Sequence, residues 1–398
     1  MSTRWLLNIG HAMDHMFLLI FATAVTSIAV EFGMGRWEDL MPYGVAAFFF
    51  FGIGSLPAGR LGDAWGRRPM MIVFFVGMGL SALLVSVTTT PMQMAVALAL
   101  LGCFASIYHP VGIPMLVQGA PRPGLTIGIN GLVGNLGVAV AAVATGYLVK
   151  YFGWRAAFAV PGAISLACAL AFALLAPREV SAPAKKKSVS VTPAGVSMAK
   201  LFLVMTIAAT SGSLLFNFST NSNYELLTDR MRSILQDPAH LGVLLALVYT
   251  AASFSQLAVG HLIDRVALKS LYLAVIGVQA VLLTVSLAAD GWVFYVLQFL
   301  FMASIFGAIP FTDAMIVRFV DDSMRSRVSG MRLAVSLGAS SLAVWLIGPV
   351  VKQAGFSALL GVMAVVSVIT LLVVSQLPVT PKPARHVPPL GDGNPAPR

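Results

Sequence analysis

Gly59-Arg60-Leu61-Gly62-Asp63-Ala64-Trp65-Gly66-Arg67-Arg68 places three arginines and an aspartate between two strongly apolar stretches, near 41–58 and 70–88. A short charged segment between apolar runs of this length reads as a connection between two membrane helices, since a helix needs about 20 apolar residues to cross hydrocarbon. The rest of the chain agrees. Of 398 residues, 58% are hydrophobic and 10% charged, and the mean hydropathy is +0.88. A soluble domain carries roughly 25% charged residues, so these charges are too few to cover a soluble surface. Further candidate spans lie near 6–30, 92–118, 125–149, 157–176, 200–224, 241–260, 271–288, 292–317, 329–350 and 357–377. Twelve crossings are expected, in an all-α integral membrane protein. The first is no signal peptide, because Asn8, His11, Asp14 and His15 interrupt what would be its apolar core.

A net charge of +10 in a soluble protein would suggest nucleic acid, but here the positive charges sit between the apolar runs. If both termini are cytoplasmic, 19 of the 25 Lys and Arg residues fall inside and 6 outside, the bias expected of cytoplasmic loops. The basic balance is thus a topology signal, and no nucleic-acid partner is expected. Cys103 and Cys168 both lie in apolar segments, so there is no disulfide framework and no Cys-x-x-Cys motif.

Residues 177–199 are rich in Pro, Lys and Ser, which suits a cytoplasmic linker. It separates an amino-terminal six-helix bundle, 1–176, from a carboxy-terminal one, 200–377; a Pro- and Gly-rich tail, 378–398, reads as disordered. The halves match in order. Gly59-Arg60-Leu61-Gly62-Asp63 meets Gly260-His261-Leu262-Ile263-Asp264 at an offset of 201, Ala105-Ser106-Ile107-Tyr108 meets Ala303-Ser304-Ile305-Phe306 at 198, and Val149-Lys150 with Gly153 meets Val351-Lys352 with Gly355 at 202. A duplicated six-helix unit follows, with both copies entering from one side, as in transporters built from parallel repeats.

The ten-residue segment resembles the cytoplasmic loop motif of the major facilitator superfamily, G-x-L-x-D-x-x-G-R-[KR]. Its weaker second copy, through Asp264, Arg265 and Lys269, stands where that family repeats it. The resemblance implies two six-helix bundles alternating between inward-open and outward-open states. It also implies gating roles for Gly59, Asp63, Gly66, Arg67 and Arg68, with Asp63 facing the start of helix eleven at Val328-Ser329-Gly330. Gly59 and Gly66 allow close approach and a tight turn, and a carboxylate suits a helix amino terminus. The end of helix four, Met115-Leu116-Val117-Gln118, offers Arg67 no acidic partner.

Ionisable groups inside a bilayer cost several kcal/mol and are functional candidates by default. His11, Asp14 and His15 share one helical face, with Asn8 a turn earlier, and imidazoles beside a carboxylate can hold and pass a proton. The same spacing could hold a metal, yet only three ligands are local and no cysteine or second acidic cluster joins them, so no metal and no cofactor are expected. Helix four carries Tyr108-His109-Pro110 and Pro114, which should kink it and set His109 beside a cavity. With the histidine-rich first helix, this segment is similar to the fosmidomycin-resistance type of efflux carrier. Asn8 on the first helix, Asn130 and Asn135 on the glycine-striped fifth, Asn217 and Asn221 on the seventh, and Gln256 and Gln298 are candidate substrate contacts or interhelical hydrogen-bonding groups. Asp313 and Arg332 could pair as an inner gate, or as a salt bridge with no transport role.

The expectation is a secondary active transporter of a small organic solute in the cell membrane, acting as a monomer through alternating access and proton-coupled efflux. Asp14, His11, His15 and His109 are the proton-coupling candidates. The fifth helix lacks the proline after its glycine run that the family's antiporter signature would add, which weakens antiport. The rivals are a symporter or uniporter taking up a metabolite, a transport-inactive sensor, and a membrane-embedded enzyme. The last lacks a convergent catalytic set, and no phosphate-binding loop supports ATP hydrolysis.

Overall fold

The computed structural model describes residues 3–118, 120, 123–177, 198–263, 265–319 and 322–377. Asp264, most of the linker and the tail lie outside these residues, as do the side chains of Asp313, Arg332 and Val328–Gly330. Hydrocarbon offers no partner to backbone N–H and C=O groups, so helices satisfying their own ladders dominate, and no strand occurs among the described residues. In order they are α1 Thr3–Glu31, α2 Val45–Trp65, α3 Arg67–Ser86, α4 Pro91–Ala105, α5 Ile113–Val117, α6 Pro123–Phe152, α7 Trp154–Leu175, α8 Met198–Met231, α9 Pro238–Ile263, α10 Leu268–Val285, α11 Gly291–Phe319 and α12 Asp322–Val374. A π-helical turn, Tyr108–Gly112, joins α4 to α5 into one crossing. Among the described residues, eleven stretches are long and apolar enough to span. The last, Ala334–Val374, has 41 residues and turns at Gly355, whose φ is 75°. At 1.5 Å per residue it is about 60 Å long, two hydrocarbon thicknesses of about 30 Å. Twelve crossings result.

The charged segment quoted at the outset is less of a loop than its composition implies. Gly59 through Trp65 form the last turns of α2, and Gly66, at φ 97°, is the only residue between α2 and α3. The helix persists because one face is covered by the π turn: a Cβ at Gly62 would come within 2.8 Å of Val111 Cγ2, and one at Gly59 within 3.4 Å of Pro110 Cβ. The glycine stripe of α6 is also divided. A Cβ at Gly137 would overlap the backbone carbonyl of Ala12 on α1, while Gly128 and Gly131 have open space around them.

Contacts within each half repeat at the offset of the sequence matches. Arg68 donates from Nε to the Ala176 carbonyl at 2.9 Å and from Nη2 to that of Ala173, closing the unpaired carbonyl end of α7. In the second half Lys269 Nζ donates to the Leu377 carbonyl at 2.8 Å, the equivalent place past the end of α12. Contacts between the halves repeat too. Lys150, at the end of α6, pairs with Asp237 ahead of α9, and Lys352 pairs with Asp39 ahead of α2. Both pairs lie at the end of the bundle away from Thr3 and Leu377, here called the distal end. Close packing backs them there: Thr26 Oγ1 donates to Glu225 at 2.8 Å, and a Cβ on Gly242 would sit 2.6 Å from the Ala142 carbonyl oxygen. The described conformation is therefore closed distally.

The Lys150 ammonium and the backbone N–H of His240 hold the Asp237 carboxyl down at about 2. A depressed carboxylate contributes its pairing above its ordinary value, near 4, and loses it only as pH falls toward the depressed one. The Lys150–Asp237 pair is thus expected to hold unchanged between about pH 5 and 8 and to be weakened by salt, because it lies at the surface. Spin labels at Phe152 and Arg232 should show a more separated population when Asp39→Asn and Asp237→Asn are combined. An unchanged distance distribution would remove the pairs from gating. Separately, Gly137→Ala is expected to cost about 1–3 kcal/mol by forcing α1 and α6 apart, whereas Gly128→Ala should be tolerated; thermal unfolding in detergent compares the two.

Candidate functional site: a buried histidine and aspartate cluster

Three elements of the amino-terminal half converge on one site. α1 supplies Asn8, His11, Asp14 and His15, the π turn supplies Tyr108 and His109, and α6 supplies Asn130. The π turn has a sequence cause, since Pro110 and Pro114 have no N–H with which to continue the α ladder. π turns recur at functional sites, and this one faces Tyr108 and His109 toward α1. The expected kink is therefore a π bulge.

His11 is fixed from several directions. Its Nδ1 lies 2.8 Å from the backbone carbonyl oxygen of Asn130. A carbonyl only accepts, so Nδ1 carries the hydrogen, and in the neutral ring the lone pair belongs to Nε2. The ring stacks on Tyr108, with centroids 4.7 Å apart and planes at 14°, and a Cβ at Gly134 would come within 2.7 Å of it. The small residue is what lets α6 lie against the imidazole. Tyr108 in turn donates to the Leu7 carbonyl at 2.8 Å, and Asn130 Nδ2 lies 2.8 Å from both the Tyr108 hydroxyl and Asn8 Oδ1. Candidate residues Asn8 and Asn130 thus serve here as fasteners of the site.

His11 Nε2 faces His15 Nε2 at 3.2 Å. The His109 ring stands edge-on to His11 at a centroid distance of 5.2 Å, and 6.0 Å from that of His15. One ring nitrogen from each histidine can be chosen so that all three lie within 4.8 Å of one another. Asp14 is completely buried; its Oδ2 lies 3.5 Å from His109 Nε2, and neither carboxylate oxygen has a hydrogen-bond partner. An unpaired buried carboxylate is expensive, and His109 is the group within reach that can compensate it.

The remaining candidates lie elsewhere. Asn135 is buried on α6 outside these hydrogen bonds. Asn217 Nδ2 donates to Ser340 Oγ at 2.8 Å and to the Ser213 carbonyl at 2.9 Å, tying α8 to α12, while Asn221 donates to the Asn217 carbonyl at 3.1 Å. Gln298 on α11 is fully buried with neither amide atom partnered, Gln256 has an enclosed Nε2 without a partner, and Asn223 Nδ2 lies 3.3 Å from the Tyr249 hydroxyl. Arg67 reaches Gln118 Oε1 at 3.3 Å, a neutral partner where the sequence offers no acidic one, and Asp63 is exposed at the end of α2. Sequence reasoning missed Tyr108 as the platform for His11, and missed both distal ion pairs. The pairs had a signal, since Lys150 and Lys352 stand in one of the repeat matches.

The sequence profile of the Major Facilitator Superfamily matches residues 7–228 and again 201–397. The chain belongs to the major facilitator superfamily. It is a multi-pass membrane transporter of that fold, with relatives among drug-resistance proteins. It is 31% identical over 169 residues to the puromycin resistance protein pur8 of Streptomyces alboniger, a match taking in 41% of this chain and 33% of that protein. It is 24% identical over 288 residues to the multidrug resistance protein MdtG of Citrobacter koseri, covering 71% of this chain and 70% of that one. Among solved structures, the inward-open xylose transporter XylE from E. coli superposes with a TM-score of 0.76 over 95% of this chain and 96% of its own, at 13% identity. An inward-facing, occupied bacterial homolog of the human lysosomal transporter Spinster gives 0.70 over 94% of each chain, also at 13% identity.

If Asn130 and Tyr108 act as one network, Tyr108→Phe and Asn130→Leu should each destabilise the protein by about 1–3 kcal/mol, and the double variant should fall short of their sum by about 1 kcal/mol. Unfolding of the four proteins in one detergent measures this; strict additivity would show that the two residues act separately.

Proposed function

We propose that this major facilitator transporter is a proton-coupled exporter of a small organic solute, with both termini cytoplasmic. The export direction is drawn from the resistance named in its relatives, pur8 and MdtG. The orientation is drawn from the 19-to-6 partition of positive charge, which makes the distal end the outer one. Solute sits between the halves near the midplane, as in transporters with parallel repeats. The unpartnered amide of Gln298 and the unpartnered Nε2 of Gln256 supply hydrogen bonds from the second half, a chemistry suited to a neutral polar or zwitterionic solute.

The observation that carries the coupling role is Asp14, buried and without a hydrogen-bond partner beside His109. Each element packed on this carboxyl contributes known groups. α1 brings His11 and His15, and the π turn brings Tyr108 and His109; the neighbouring Phe51, Phe74 and Asn130 do not titrate near neutrality. A proton held here drives transport only if its affinity differs between the outward- and inward-open states. Separation of α1 from the second half as the distal pairs open is a physical route to that difference.

In proteoliposomes, solute movement should run opposite to an imposed proton gradient, and Asp14→Asn should abolish the dependence on the gradient while leaving solute counterflow. Undiminished gradient-driven transport by that variant would remove Asp14 from coupling. Solute moving in the same direction as protons would replace export by uptake symport.

A further inference from the structure

We propose that His11, His15 and His109 form a binding site for a divalent first-row transition cation, with Asp14 as its supporting carboxylate. The sequence argued against a metal because only three ligands are local and no cysteine or second acidic cluster joins them; the fold answers the first point by bringing His109 in from the π turn. The geometry is close to a coordination shell. Zinc–nitrogen bonds of about 2.0–2.1 Å put neighbouring ligands of a tetrahedral site about 3.3 Å apart, and His11 Nε2 and His15 Nε2 are already at 3.2 Å. One ring nitrogen of His109 lies within 4.8 Å of both, so the third ligand is near coordinating distance.

The surroundings are those that metal-binding histidines use. His11 gives its Nδ1 hydrogen to the Asn130 carbonyl, which leaves the Nε2 lone pair facing His15 Nε2. Asp14 beside His109 Nε2 makes the carboxylate–histidine arrangement that orients a ligand and raises its basicity, and it brings negative charge to a buried cation. Three imidazoles and one carboxylate select zinc, copper, nickel or ferrous iron over magnesium or calcium, which prefer oxygen ligands. Three protein nitrogens leave a fourth position for water or a ligand atom of the solute.

This deepens the reading of the same cluster as the coupling site, and its test needs neither solute nor gradient, so failure of proton coupling leaves it standing. Zinc is titrated calorimetrically into the full chain in detergent, and cobalt is added in parallel, because tetrahedral cobalt is visible by absorption. One cation per chain is expected. His11→Gln and His109→Gln, on separate elements, should each weaken binding at least tenfold, and Asp14→Asn about 10–100-fold. A variant replacing His240, His261 and His386 by Gln should bind as the parent does. Zinc should raise the unfolding temperature of the parent but not of His109→Gln, a readout that also reports whether the variant is folded. Absence of binding at millimolar zinc, binding unaffected by both cluster variants, or loss of binding in the three-histidine control would each overturn the assignment.

Discussion

Hydrocarbon gives nothing back to a polar group that leaves water, and this governs the chain at every level. It makes the backbone helical and pushes Lys and Arg into the connections. It also turns each polar side chain inside a span into something that must find a protein partner. Most do: Ser and Thr hydroxyls along α8 bond to carbonyls one turn back, and Asn217 bridges to Ser340. Among the described residues the exceptions are few. Asp14 in one half and Gln298 in the other are fully buried and unpartnered, which marks them as the groups with free bonding capacity facing the interior.

The architecture separates two kinds of contact. Within a half, helices are joined by close packing and by cations capping helix ends, as Arg68 does for α7. Between halves, the contacts at the distal end include two exposed ion pairs, the Thr26–Glu225 hydrogen bond, a stack of Trp37 on Phe356 and glycine-mediated approach. Exposed ion pairs contribute about 0–1 kcal/mol each, so breaking them costs little beside breaking a core. The ion pairs are therefore the cheap part of the seam to break, while the close packing of α6 on α9 and of α2 on α12 must separate with them for the halves to move against each other.

Much of this was legible in the residues. The apolar runs gave the crossings, and the i, i+3, i+4 spacing was enough to put His11, Asp14 and His15 on one face. The helical nature of Gly59–Trp65 was not legible, because composition alone cannot tell that Val111 and Pro110 cover that face. Nor was the identity of His11's partner: a backbone carbonyl 119 residues away leaves no mark in the sequence. Side-chain amides suffered most. Asn217 and Asn221 read equally as solute contacts or as helix fasteners, and only the position of Ser340 distinguishes a satisfied amide from the unsatisfied one of Gln298.

The caps at Arg68 and Lys269 also bear on how the chain is assembled. Each closes a six-helix unit on itself, α3 onto the end of α7 and α10 onto the end of α12, with no help from the other unit. The Arg68 cap can therefore form once the chain through Ala176 is in place, whereas the core around α6 is completed only when α9 packs on it. The contacts are thus ordered by what they require: each cap needs one unit only, and the ion pairs at the distal end need both.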